Sequence, residues 1–321
     1  MNRLASGVVR GAAVGVVGAC AAAVLSQHFG HRAYRRTIGM PIAALQTLTP
    51  HLGGASALIA AVAMIRRRPT LAAGSAAVFV GASTLTTPLL IRRSPGTGVL
   101  GDGLTIATVN LLYTNVWTEA IADDLLARDI DVITFTEYTA AHQRVLLTHD
   151  LVSRYPHRVD RPGPRALGVA VWSRVRLEQC TPAATVNHSI DVRICAPDHT
   201  FRLLALHTPT PFDDLGGWSK DLDVIRAAGA ACPEPMVMIG DFNATCWHPA
   251  IRSILADGYR DALVAAGRPF AASWPVGSVV PPFAQLDHAL VGPGLMVTGE
   301  SNVPTPGSDH RGLIVSVAPA R

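Results

Sequence analysis

Residues 236–245 read MVMIGDFNAT, and this stretch decides how the rest of the chain is read. MVMI is an uninterrupted apolar run of the length of a buried strand. Gly, Asp and Asn are common turn residues, so the plainest reading of GDFN is a loop. Yet the turn sets an acid and an amide, Asp241 and Asn243, two positions apart just beyond one strand. An acid and an amide so placed can orient a water molecule and hold a phosphate oxygen.

Outward from this stretch the pattern recurs. Leu104–Asn110 (LTIATVN) alternates and is β-rich, which predicts a strand ending on Asn110. Asp131–Phe135 (DVITF) predicts a strand leading to Glu137, and Phe201–Leu206 (FRLLAL) one leading to His207. Further strands are expected at Gly168–Trp172, Ser189–Ile194, Leu286–Val291 and Leu313–Val317. Helical spacing marks Trp117–Arg128, Ala140–Ser153, Leu222–Ala231 and His248–Ala256. Helices alternating with single strands and strand pairs predict an α/β protein of two packed mixed sheets with helices outside.

Asn110, Glu137, His207, Asp241 and Asn243 then all stand at or just past the C-terminal ends of strands. Such groups converge on one rim of a sheet, where sites are usually built. Singly each is weak. A lone Glu after a strand is more often a helix N-terminal acid or a solvated loop residue. Its functional reading is a carboxylate ligand for Mg²⁺, a hard cation that takes oxygen donors. Asp309 and His310 in GSDHRG, with Asp287 in QLDHALV, add an acid–imidazole pairing. A buried Asp fixes the tautomer of a neighbouring His and stabilises its imidazolium. With twelve His in the chain, a surface position is the default for any one of them. His288 follows Asp287 directly, so strand alternation turns it to the other face and assigns it to structure.

The ordered series Val109–Asn110, Thr136–Glu137, Leu206–His207, GDFN at 240–243, Leu286–Asp287 and SDH at 308–310 resembles the endonuclease/exonuclease/phosphatase superfamily. That group includes pancreatic-type deoxyribonucleases, abasic-site endonucleases, sphingomyelinases and inositol-polyphosphate phosphatases. The resemblance covers about residues 104–319. It implies a four-layered α/β sandwich and a Mg²⁺ ion, in some members Mn²⁺. It implies Glu137 as the principal metal ligand, with Asn110 and Asp309 near the metal. Asp241 and Asn243 match the pair that positions the attacking water and the phosphate. His310 matches the catalytic His, oriented by Asp287, and His207 the second His that many members use. Two positions depart from the family pattern. Gln285 and Leu286 precede Asp287 where Arg or Ile is common, and Thr136 replaces the usual Gln before the Glu. Neither change removes a catalytic group.

A narrower resemblance is to a bacterial subgroup that includes membrane-anchored phosphatases associated with teicoplanin resistance. It rests on N-terminal apolar spans with an Arg cluster, on Ser273–Trp274–Pro275, on Pro281–Pro282 ahead of Leu286–His288, and on PGSDHR at 306–311. It implies an extracytoplasmic site and a lipid-linked pyrophosphate substrate.

The 321 residues leave room for about two domains of ~150 residues. Residues 1–101 hold ten Arg, no Lys and no acidic residue, whereas residues 102–321 hold all 23 acids and carry a net charge of −6. The expected organisation is a membrane-anchoring region at 1–92, a Gly- and Pro-rich linker at 93–103, and a catalytic domain at 104–321. Three transmembrane helices are expected near 8–27, 44–65 and 71–91, since a span needs about 20 apolar residues. A cleavable signal peptide would account for the first run alone. Arg3, Arg10 and Arg66–Arg68 would face one side, and Arg32, Arg35, Arg36, Arg92 and Arg93 the other, so positive charge is balanced. The triple Arg favours a cytoplasmic N-terminus and an extracytoplasmic catalytic domain.

None of the five cysteines forms a CxxC pair, which argues against a zinc site. Cys180 and Cys195 stand near the ends of two neighbouring strands; a disulfide and free buried thiols are both open. Three functions compete. The first is a membrane-anchored phosphoesterase, whose partners are the bilayer and a phosphorylated, lipid-linked substrate. The second is a nuclease, which the motifs permit. The net charge of −6 argues against it, because a nucleic-acid binder needs a basic footprint. Arg154, Arg158, Arg161 and Arg165 form one local basic cluster. The third, a non-enzymatic membrane scaffold, requires a broken constellation, and no key position is broken.

Overall fold

The computed structural model describes residues 3–27, 39–91, 103–197 and 199–320. It divides into two compact units, Met1–Ile91 with Cys246–Arg252, and Arg92–Thr245 with Ser253–Arg321.

The first unit contains α1 (Arg3–Ser26), α2 (Gly39–Thr47), α3 (Thr49–Ile65) and α4 (Pro69–Leu90). Gly7–Ser26 and Pro69–Leu90 are each long and apolar enough to cross a membrane. The middle expected span differs. It is broken between α2 and α3 by a bend of 68°, and it makes a third span only if the bent pair counts as one. Pro50 stands in the first turn of α3. It has no N–H to return to the preceding turn and its ring crowds that turn, which favours a kink or break there, although α4 runs on through Pro88. The expected linker lies outside the described residues except for Gly103, as do Arg32, Arg35, Arg36, Arg92 and Arg93.

The second unit begins with β1 (Leu104–Asn110), α5 (Thr118–Leu126), β2 (Val132–Thr136), α6 (Ala140–Thr148), α7 (Leu151–Arg154), β3 (His157–Arg161) and β4 (Val169–Ser173). It continues through β5 (Arg176–Gln179), β6 (Ser189–Cys195), β7 (Thr200–His207), α8 (Leu215–Ala231) and β8 (Met236–Asp241). After α9 (Pro249–Ala256) come β9 (Arg260–Asp261), α10 (Ala262–Ala265), β10 (Asp287–Val291), β11 (Leu295–Val303) and β12 (Gly312–Pro319). One six-stranded sheet has the order β11-β12-β1-β2-β4-β3, the other β5-β6-β7-β8-β10-β9. Each is mixed, with β1–β2 parallel in the first and β7–β8 parallel in the second.

The sheets pack on each other through the alternate residues of each strand. Ile106, Val132, Leu203, Ala205, Val237, Ile239, Ala289 and Val315 share one buried core. Ala107, Val109, Ile133 and Phe135, on the opposite face of the first sheet, pack with Ile121 and Leu125 of α5 and Leu146 of α6. On the second sheet α8 buries Trp218, Leu222 and Ile225. Gly229 on α8 lies so close to Met238 that a Cβ there would meet its Cε at 2.1 Å. The result is the α/β arrangement of two packed mixed sheets with outer helices. Each fully buried aliphatic side chain contributes about 1.5–3 kcal/mol.

Four strands escape the sequence reading: β3, β5, β9 and β11. All four are sheet edges. Edge strands lose the apolar partner on one side; β3 is half-buried or exposed throughout. The single helix expected over Ala140–Ser153 is two, α6 and α7, because His149 is extended. Its ring accepts the Leu151 N–H at 3.0 Å. α8 starts seven residues before Leu222, capped by Asp214, whose carboxylate accepts the Gly217 N–H at 2.8 Å. Cys180 and Cys195 do not pair. In the β5–β6 register Cys195 lies opposite Arg176, while the Cys180 N–H reaches Asp191. They sit at opposite ends of the hairpin, and all five cysteines are free.

Candidate active site

The inward stripe of each strand continues to the rim, and there it changes from apolar to polar. In β1 the core-facing Leu104 and Ile106 are followed in register by Asn110. In β7 Leu203 and Ala205 lead to His207, and in β8 Val237 and Ile239 lead to Asp241. β10 enters from the same end with Asp287 ahead of Ala289 and Val291. Strand alternation thus carries all four side chains into the space between the sheets. Register completes the arrangement: Asp241 pairs with His207 on one side and with Asp287 on the other.

Asp241 is the hub. Its Oδ1 accepts the Asn243 N–H at 2.8 Å. Its Oδ2 accepts from Asn110 Nδ2 at 3.0 Å, and lies 3.5 Å from His207 Nε2 and 3.7 Å from His310 Nε2. Asn110 comes from the first sheet, so this bond ties the two sheets together at the site. The same Nδ2 donates to Glu137 Oε1 at 3.2 Å. Glu137 Oε2 accepts the Tyr113 N–H at 2.9 Å.

Several backbone positions at the site are strained, Leu112 with φ +55° among them. Glu137 has φ +53° and Asn243 φ +46°. Asn visits this left-handed region readily; Glu does not. Such strain, held by surrounding structure, concentrates at functional sites. At Glu137 it turns the carboxylate off the strand path and towards Asn110.

The imidazoles are oriented by their partners. His207 Nδ1 lies 2.7 Å from the Ala166 carbonyl, which can only accept, so Nδ1 carries a proton. Its Nε2 then accepts from Asn243 Nδ2 at 3.3 Å, and that amide also donates to the Thr208 carbonyl at 2.9 Å. His310 Nδ1 donates to Asp287 Oδ2 at 2.7 Å. Burial opposes charge on His310, but the carboxylates of Asp287 and Asp241 outweigh it and lift the imidazolium to about 10. Burial raises the carboxyl of Asp241 above its ordinary value; His310 and His207 pull it down, and Asp287 pushes it up.

Asp309 accepts from Trp274 Nε1 at 3.0 Å through Oδ2. The preceding Ser308 donates to the Asn110 carbonyl at 2.8 Å and accepts the His310 N–H at 3.1 Å, which fastens the SDH loop to the end of β1. His288 turns away, as alternation requires. Its Nδ1 lies 2.6 Å from Asp261 Oδ2 and its Nε2 2.8 Å from the Ala244 carbonyl, a buried tie beneath the GDFN loop.

The carboxylate oxygens of Glu137 and Asp309 suit a hard divalent cation, whereas Asn110 turns its Nδ2 to Glu137 and Asp241 and its Oδ1 to the Leu112 N–H. Asp309 Oδ1 is buried and has no hydrogen-bond partner among the described residues. A buried carboxylate oxygen in that state calls for a cation or water. Asp241, Asp287 and His310 form a second group, with ligand atoms all within 4.8 Å of one another.

Residues that act through backbone are absent from the sequence reading, and Ser273 appears there only as part of the Ser-Trp-Pro stretch. Ala166 offers only its carbonyl and Tyr113 its N–H. Ser273 accepts the Leu286 and Asp287 N–H groups at 3.0 and 3.2 Å and so places Asp287. The Trp274 side chain was visible in the Ser-Trp-Pro stretch, though not its bond to Asp309.

No curated protein matches the sequence. Among solved structures, D. rerio TDP2 complexed with single-strand DNA product superposes with TM-score 0.57 at 15% identity, over 67% of this chain and 98% of that one. An AP endonuclease from Archaeoglobus fulgidus gives 0.54 at 16% identity, over 66% and 98%. The 3′ phosphatase NExo from Neisseria, bound to a product DNA hairpin, gives 0.53 at 14%, over 66% and 98%. At these identities the likeness establishes the fold. The sequence profile described as the Endonuclease/Exonuclease/phosphatase family matches residues 107–310, more than half of the chain. The chain therefore belongs to the endonuclease/exonuclease/phosphatase family, whose members are phosphoester hydrolases that generally use divalent metal ions.

Proposed function

We propose that this protein is a membrane-anchored, metal-dependent phosphoesterase that hydrolyses a lipid-linked phosphate ester or pyrophosphate by in-line attack of water. The observation that carries the reading is the Asp241 hub: one buried carboxylate within reach of Asn110, His207 and His310, with Asn243 folded back onto it. Mg²⁺, or Mn²⁺, is the proposed cation, held by Glu137 and Asp309 with Asn110 beside them. Bound there, it would neutralise charge on the phosphate and the leaving oxygen.

The remaining work belongs to side chains. Asp241 takes a proton from the attacking water, which Asn243 helps to hold. His310, kept protonated between Asp287 and Asp241, stabilises charge on the phosphoryl oxygens. His207, with Nε2 facing the hub, contacts the phosphate, and it protonates the leaving group once Nε2 has itself taken up a proton. The lipid-linked substrate is supported by the apolar helices near the N-terminus and by the net −6 of residues 102–321; the extracytoplasmic site follows from the cytoplasmic N-terminus that Arg66–Arg68 favours when the bent pair counts as one span and the spans number three.

The test is a substrate panel. Purified full-length protein with Mg²⁺ is offered polyprenyl pyrophosphate, sphingomyelin, plasmid DNA and an inositol phosphate. Phosphate release from the lipid substrate is expected. DNA nicking without lipid turnover would replace this reading with a nuclease, the class to which the structurally similar AP endonuclease belongs.

A further inference from the structure

Six of the ten large apolar side chains exposed on the described part of the catalytic unit, Tyr113 among them, lie on loops that leave or enter the strands of the site; Val186 and Phe270 do not. Val116 and Trp117, 85% and 61% exposed, lie on the loop that leaves β1 after Asn110. Phe212, 60% exposed, lies on the loop that leaves β7 after His207. Val279 is fully exposed and Val280 half-exposed, on the segment that enters β10 at Asp287. β10 runs antiparallel to β8, so its entry lies at the same end as Asp241. Three separate loops thus carry apolar tips to one rim. Val145 and Leu147 on α6 are exposed elsewhere.

Nothing in the chemistry of the site needs Val116, Trp117, Phe212, Val279 or Val280. None of them contacts Asp241, Glu137 or His310 in the hydrogen-bond network. An exposed apolar set at one face marks an interaction surface. Its composition restricts the partner. Trp and Phe suit the boundary between headgroups and acyl chains. Three of the five residues are Val, which offers no face for base stacking, whereas single-stranded nucleic acid is bound by aromatic platforms in a basic groove. The unit is net acidic.

Two further observations favour lipid. A cleft of about 780 Å³ opens beside Asp309, with Leu112, Val276, Pro304 and Pro306 in its walls. It sets apolar walls next to the polar site, with Asn302, Thr305 and Arg311 also in its lining. The chain between the end of α4 at Leu90 and the start of β1 at Leu104 reaches no more than about 50 Å when fully extended. If α4 crosses a membrane, the catalytic unit stays within that distance of the bilayer.

We infer that the catalytic rim is a membrane-docking surface, on which Val116, Trp117, Phe212, Val279 and Val280 seat in the interface of a phospholipid bilayer. The inference rests on the reading of the protein as membrane-anchored, and it specifies how the site meets its substrate. The enzyme works face-down, on phosphoesters whose apolar part remains in the lipid layer.

Trp117 makes this measurable, because Trp172, Trp218 and Trp247 are buried and Trp274 is half-buried. Full-length protein is reconstituted into phosphatidylcholine vesicles with brominated acyl chains, which quench tryptophan in the interface. Trp117→Phe is expected to remove the larger part of that quenching. Val279→Asp is expected to lower turnover of a vesicle-embedded phosphoester about tenfold or more, since burying one such side chain is worth at least that. Its turnover of a water-soluble aryl phosphate should be unchanged. Equal quenching in wild type and Trp117→Phe overturns the inference. So does shielding of Trp117 emission by an oligothymidylate without lipid quenching, which would assign the rim to nucleic acid. If the wild type hydrolyses neither substrate, the proposed activity fails, and the quenching result still decides the docking surface.

Discussion

Gly240→Ala is the substitution whose consequence follows most directly from the geometry. Gly240 precedes Asp241 in β8 and has φ +137°, a conformation L side chains rarely adopt. A Cβ there would stand 1.9 Å from the Leu206 carbonyl oxygen and 3.0 Å from its carbon. Leu206 is the register partner of Gly240 in the adjacent parallel strand β7. Relief requires β7 and β8 to separate by about 1 Å, since non-bonded carbon contacts settle near 3.5 Å. The φ strain costs about 1–3 kcal/mol. The overpacking adds about 1–3 kcal/mol. Together they take a large share of the roughly 5–15 kcal/mol that holds a typical domain. The displaced rung is also next to the one that joins His207 to Asp241, now 3.5 Å apart at their nearest. A shift of about 1 Å there can cost roughly 100-fold in turnover. The control is Gly277→Ala, at φ +73° with nothing within 4 Å of the added Cβ, where about 1 kcal/mol is expected. Thermal unfolding followed by fluorescence, with turnover of an aryl phosphate in parallel, reads both effects. If Gly240→Ala matches Gly277→Ala in stability and in turnover, the strand contact does not hold the site as argued.

Other substitutions separate the roles of the remaining groups. Glu137→Gln keeps an acceptor for one of the two donors, Asn110 or Tyr113, and loses the charge, so calorimetric Mg²⁺ affinity should fall roughly 10–100-fold; an unchanged affinity moves the cation elsewhere. Asp287→Asn removes the carboxylate that His310 Nδ1 meets at 2.7 Å, and turnover should drop about 10²–10⁴-fold, which near-wild-type kinetics would contradict. Asp221 bears on stability. Burial pushes its carboxyl up to about 6, even though it accepts the Val186 N–H. Between about pH 4 and 6 the folded chain holds this proton and the unfolded chain does not, so stability falls as pH rises through that window. Asp221→Asn keeps an acceptor without the charge. It should stabilise the protein by about 3 kcal/mol at pH 7–8 and by little near pH 4. A gain independent of pH would exclude burial of charge as the cause.

The parts of the fold that were readable in the sequence are those buried on both sides. β1, β2, β7 and β8 are nearly continuous apolar runs, and each ends in a polar residue that alternation carries inward. That is why Asn110, His207 and Asp241 could be grouped before their positions were known. The edge strands β3, β5, β9 and β11 lack that signal because one flank has no partner. The break in the middle apolar stretch is legible only once Pro50 is weighed above hydropathy. The site was less complete. Tyr113 and Ala166 contribute main-chain groups, which no side chain announces. Ser273 and Trp274 act from 14 and 35 positions away on Asp287 and Asp309, through contacts that exist only after folding. His288 was correctly separated from Asp287, but its buried partner Asp261 lies 27 residues away.

The account stands on water attacking phosphorus under the control of Asp241. The direct measurement is hydrolysis of a phosphoester in ¹⁸O-enriched water by metal-loaded full-length protein, beside Asp241→Asn and a chelator-treated sample. One ¹⁸O per turnover is expected on the phosphorus-containing product, with the variant and the chelated sample nearly inert and Mg²⁺ or Mn²⁺ restoring the latter. Label on the alcohol instead, or undiminished turnover by Asp241→Asn, would contradict it.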